Sequence, residues 1–178
     1  MSAMELLRAW ISFSALVLAV SLVVHLSTFC GVDPMAAIPG VMFIHVAIFP
    51  PFFAAIIYTN KANRESGLKQ ERIFKFAPSW MRTMTGAFFA YAIVNFIVFL
   101  FLVEGGSPEQ RDGKYFLANH GHVIRQLSEA EFHRMQAYVV RGFSGHWMLF
   151  SSAAATLLTG VANSRKTPQT QGNIHQDS

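Results

Sequence analysis

Four apolar stretches, residues 10–30, 36–59, 83–103 and 143–163, contain no Asp, Glu, Lys or Arg. Each reaches the roughly 20 residues that a helix needs to cross about 30 Å of hydrocarbon. In oil a backbone amide finds no partner except another backbone group, so such stretches must coil on themselves. The expected fold is therefore an all-α membrane protein with four transmembrane helices in a small bundle.

The polar residues fit the same arrangement. Between the second and third stretches, Lys61, Arg64, Lys69, Arg72, Lys75 and Arg82 face only Glu65 and Glu71. A short basic loop of this kind stays in the cytoplasm. Between the third and fourth, Arg111, Lys114, Arg125, Arg134 and Arg141 are balanced by Glu104, Glu109, Asp112, Glu129 and Glu131. That neutral loop can cross to the outside. Arg8, Arg165 and Lys166 complete a multi-pass arrangement in a plasma or inner membrane, with both termini cytoplasmic and residues 104–142 forming an extracytoplasmic cap on the domain 1–163. Residues 164–178 have almost nothing to bury and read as a disordered cytoplasmic tail.

The net charge of +4 thus reflects topology, and no nucleic acid is expected as a partner. Membrane lipids are, because Ile73, Phe74, Phe76, Trp80 and Met81 alternate with cations in a segment suited to an anionic inner surface. A signal peptide is disfavoured at the start: the first apolar run is too long, and Ser-Thr-Phe-Cys-Gly is not a clean cleavage site. Cys30 is the only cysteine, which excludes an internal disulfide.

Pro39 suits the start of the second helix, and Pro50 and Pro51 predict a kink near its middle. In the third, Gly86, Ala90, Val94 and Val98 share one face, and Asn95 is expected to bond across to a neighbouring helix. In the fourth, Ser152, Thr156 and Gly160 form a seam for close approach. Within the cap, residues 114–117 and 123–127 predict a short β-hairpin around Asn119-His120-Gly121, while residues 105–113 read as turns. Ser128-Glu129-Ala130-Glu131 is a capping-box pattern, so an amphipathic helix starts there. Gly142 and Gly145 leave open whether it bends or runs on into the fourth span.

His25, His45 and His146 lie on three different spans, roughly 9, 5 and 10 Å above the midplane if each residue rises 1.5 Å. Imidazole is costly in lipid, so the layer is the leading candidate site. Its residues suit zinc, copper or haem iron, with His133, His120 or His122 closing the set. They equally suit proton transfer or a hydrogen bond to a quinone head group, and each can also be satisfied by a backbone carbonyl or a serine. Arg141, Gly142, Gly145, His146 and Trp147 together suit an anionic head group, with Trp147 as an interfacial anchor.

No nucleotide loop, paired-cysteine motif, His-Glu-x-x-His or Gly-x-Ser-x-Gly element is present, and Ser144 near His146 lacks a carboxylate partner. The expected role is a non-catalytic membrane subunit that assembles or stabilises a larger membrane complex or homo-oligomer. The alternative is a redox, haem- or metal-binding, or quinone-interacting protein built on the histidine layer.

Overall fold

The computed structural model describes residues 2–67 and 70–165; the tail beyond Arg165 lies outside the described residues. Helix α1 (Ala3–Ser27) opens with a reciprocal capping box between Ser2 and Glu5. It tightens into a 3-10 turn at Thr28–Cys30 and stops at Gly31, whose φ of 76° suits a residue without a Cβ.

The second apolar stretch is not one kinked helix. It divides into α2 (Pro34–Ala37), α3 (Phe43–Ala47) and α4 (Phe49–Ser66). Asp33 caps α2, its carboxylate accepting the Met35 amide at 2.9 Å. Pro39 sits in the turn between α2 and α3 rather than beginning a helix. Pro50 and Pro51 occupy the first turn of α4, where a missing amide donor has no helical partner to lose. The proline pair restarts a helix instead of bending one.

A short α5 (Gln70–Lys75) precedes α6 (Ser79–Leu102), and the cap then forms β1 (Ser107–Arg111), β2 (Lys114–Asn119) and β3 (His122–Leu127). These make a three-stranded antiparallel meander, one strand more than the expected hairpin. Both tight turns place two residues at positive φ, Asp112-Gly113 and His120-Gly121, the geometry that matches strand twist. β1 contains Pro108 and lies at the sheet edge, where a missing amide does no harm. Leu117 and Leu127 seat the sheet on Phe132 and Met135.

Those last two residues belong to α7 (Glu129–Ser164), a single unbroken helix of 36 residues, or about 54 Å. The cap helix and the fourth apolar stretch are one rod. Ser128 and Glu131 make the expected capping box at its start.

Three segments are long and apolar enough to cross a membrane: Ala3–Cys30, Phe43–Glu65 and Ser79–Leu102. Helix α7 is not among them: His146 and Asn163 bracket its apolar half, and Ser151, Ser152, Thr156 and Thr159 dilute it. The same small residues make it the central post, with α1, α4 and α6 packed around it. Ser151, Ser152 and Thr156 are fully buried, and at Gly160 an added Cβ would collide with the Ile73 carbonyl of α5.

At one end of the bundle Leu7, Ala55, Ala62, Ile73, Leu158 and Val161 form an apolar cluster, and Arg165 reaches Glu65 at 3.5 Å. The start of α1, the basic segment and the end of α7 therefore share one end of the molecule. The sheet lies at the other.

Helix α6 is attached differently. Among the described residues no apolar cluster includes one of its members, and it meets α7 through close approach, hydrogen bonds and the rings of Phe96 and Phe99. Thr85 bonds Thr156 at 2.8 Å, and Asn95 donates to the carbonyls of Arg141 and Gly142 at 2.9 and 3.2 Å. The absence of side chains at Gly142 and Gly145 makes room for Phe99 and Asn95.

Candidate functional site

The three span histidines do form a layer, within one turn of α7. They do not form a common site. His25 sits against Ser144, His45 against Phe143 and Trp147, and His146 against Phe96. Successive α7 positions are turned about 100° from each other, so these neighbours lie in different sectors around the helix.

His25 on α1 is buried at 3% exposure and engaged at both nitrogens. Its Nδ1 lies 2.7 Å from Ser144 Oγ, and its Nε2 faces the Tyr91 hydroxyl of α6. Ser144 Oγ also lies 3.1 Å from the Arg141 carbonyl, to which it donates. A hydroxyl has one proton, so Ser144 accepts from His25 Nδ1–H, and Nε2 then accepts from Tyr91. One neutral imidazole joins α1, α6 and α7.

Arg141 extends this node toward the cap. Its Nε and Nη2 donate to Thr28 Oγ1 and the Thr28 carbonyl at 3.0 and 2.7 Å, and its guanidinium lies 4.0 Å from the Phe29 ring centroid. The charge closes the frayed end of α1 and stacks on an aromatic face. Trp147 leaves α7 in another direction. It is fully buried, and its indole N–H donates to His45 Nδ1 at 3.1 Å. A wholly enclosed indole is not the interfacial anchor expected from its neighbours in sequence, and Arg141 and Trp147 do not make one cluster.

His146 is half-buried and donates from Nδ1 to the Gly142 carbonyl of its own helix at 3.1 Å. His133 pairs with Asp33 at 2.7 Å, fastening the start of α2 to α7 more than three helical turns before His146. His120 and His122 are exposed at the tip of the β2–β3 turn.

Among the described residues, no three His, Cys, Asp or Glu side chains gather closely enough to hold a metal ion. His25 has no nitrogen left for zinc, copper or haem iron without breaking the node that holds it. No family model matches this chain, and neither curated proteins nor solved structures contain a match.

Sequence reasoning missed Tyr91, Thr28 and Asp33. Tyr91 carries the only phenol of the third apolar stretch, and a hydroxyl placed there needs a partner. That signal was present in the residues.

The cap has its own polar lock. Arg125 on β3 pairs with Glu104 at 3.2 Å and with Glu131 on α7 at 3.0 Å. The Ser128 backbone amide and hydroxyl, then Arg125, hold the Glu131 carboxyl down to about 2 from its ordinary 4.5. The same two carboxylates push the Arg125 guanidinium further up.

Proposed function

We propose that the chain is a non-catalytic integral membrane subunit that crosses the bilayer four times, with α7 as the fourth span, and that it assembles into a larger membrane complex. The helix register supports the fourth crossing. Thr85 meets Thr156, Asn95 meets Gly145 and Phe99 meets Gly142, so each step outward on α6 is a step back along α7. The charge-free residues 83–103 then lie beside about 138–158. His25 with Ser144 and Thr28 with Arg141 run α1 along nearly the same α7 residues.

In this arrangement the fourth crossing begins earlier than residue 143 and includes Arg141, whose head reaches the outer boundary by pairing with Thr28. The basic segment and both chain ends lie on the cytoplasmic side, and the sheet lies outside.

The observation that carries the assembly reading is the edge position of α6. Only Met81, Ala92 and Asn95 of that helix are buried, while Phe89, Ile93, Ile97 and Phe101 point away from the bundle. His25, Ser144, Asn95 and Thr156 use buried polar groups to tie helices together, which suits a structural subunit better than an enzyme.

Photo-crosslinking from positions 97 and 101 in native membranes tests this, with Leu16 on the exposed side of α1 as reference. Discrete heavier adducts from α6 to another polypeptide are expected. Lipid adducts alone, at both helices, would remove the assembly reading, and adducts only between copies would replace a complex with a homo-oligomer.

A further inference from the structure

One strip of α7 is only partly covered. Val139, Phe143, His146, Phe150, Ala153 and Leu157 are each half-buried and recur at alternating intervals of four and three, which keeps them on one side of the helix. Phe143 meets His45 of α3 and Phe150 meets Phe52 of α4, whereas His146 meets Phe96 of α6. The strip therefore runs along the gap between α3–α4 and α6.

At the histidine layer this gap is bordered by a continuous crescent of rings. His45 contacts Phe143 at 5.4 Å between centroids, Phe143 contacts Phe99 at 6.3 Å, Phe99 contacts Phe96 at 6.2 Å, and Phe96 contacts His146 at 5.6 Å. An imidazole stands at each end.

Hydrogen-bond accounting assigns the proton on both. A carbonyl only accepts, so His146 Nδ1 carries the hydrogen and Nε2 keeps its lone pair. His45 Nδ1 accepts from Trp147, so its own hydrogen is on Nε2. Neither Nε2 has a partner among the described residues, and neither is sealed inside the protein. By the α6–α7 register both lie within about one helical turn of the bilayer midplane. Water is not there to satisfy them.

We propose that this crescent binds the head group of a membrane-dissolved quinol. A quinol hydroxyl both donates and accepts. One hydroxyl can give its proton to the His146 lone pair and an oxygen of the same ring system can accept from His45 Nε2–H, with the flat ring against Phe143 and the apolar tail running toward Ala153 and Leu157. A quinone has carbonyl oxygens only, so it matches His45 and leaves His146 unmatched. This inference depends on the four-crossing placement but not on a partner complex, so failure of the α6 crosslinks leaves it standing.

The test uses the full chain with Trp10→Phe and Trp80→Phe, which leaves Trp147, bonded to His45, as the sole indole. In nanodiscs of neutral lipid its fluorescence is titrated with a short-tailed ubiquinol kept reduced, the matching ubiquinone, and a tailed benzene lacking oxygen. Saturable binding is expected, tightest for the quinol, with the benzene showing only linear partitioning. His146→Leu should weaken the quinol about tenfold and abolish its preference over the quinone. His45→Gln keeps an acceptor for Trp147 and should weaken both ligands. Linear titrations for all three compounds, or saturable ones unchanged in both variants, overturn the proposal. So do crosslinks from position 153 to a second polypeptide, which would mean that a helix already fills the gap.

Discussion

On the side of α7 that meets α1 and α6, His25 engages both ring nitrogens, through Ser144 and Tyr91. On the side that opens between α3–α4 and α6, His45 and His146 each engage one nitrogen and keep the other. All three lie in the same layer of one bundle. What separates them is the second nitrogen: once it is bonded within the protein, an imidazole in lipid is a joint between helices. Where it has no partner among the described residues, the residue still has a hydrogen bond to make.

The sharpest way to break this comparison is to add bulk on each side. Gly145→Leu drives a side chain into the Asn95 carboxamide and should cost about 3 kcal/mol. Ala153→Leu on the partly covered strip should change stability by less than about 0.5 kcal/mol. Equilibrium unfolding in mixed detergent micelles measures both, and equal losses would erase the distinction between closed and open sides.

A smaller effect tests the closed node. His25→Leu leaves Ser144 and Tyr91 without their partner and should cost about 2 kcal/mol. Tyr91→Phe should cost about 1 kcal/mol, and the double variant less than the two together, since both changes remove the same bond. Strict additivity in the same unfolding assay would mean that the tyrosine and histidine do not act as a unit.

The mildest test asks whether the closed side depends on the cap. Glu131 has its folded-state pKa lowered, so its contribution is complete above the ordinary carboxylate range and fades as pH falls from about 4.5 toward about 2. Amide exchange in β2 and β3 should quicken over that interval. Ser128→Ala should move the change to higher pH, and an unaltered profile in that variant would contradict the lock.

Much of this was readable in the residues, and what was not has physical reasons. Apolar runs are a matter of composition, so three spanning segments could be recognised. The Ser128–Glu131 box and the partner-seeking Asn95 are local or chemically compelled, and both appear as expected. Composition cannot tell a kink from a restart, because Pro50 and Pro51 fit either the middle of a bent helix or the first turn of a new one. Pro108 obscured β1, although Asp112-Gly113 was as good a turn signal as His120-Gly121. The depth of the histidines could be placed in one layer from helix rise alone. Their rotation could not, because a nearly all-apolar helix carries no polar face to show which side meets a neighbour.

The unbroken path of α7 has a mechanical consequence. The sheet grips the first turns of this rod through Phe132 and Met135, and the rod carries Phe143, His146 and Trp147 further along without an intervening hinge. A torque applied to the sheet is passed along the rod to the turn that holds Ser144, His146 and Trp147, so the sheet and the histidine layer are mechanically linked.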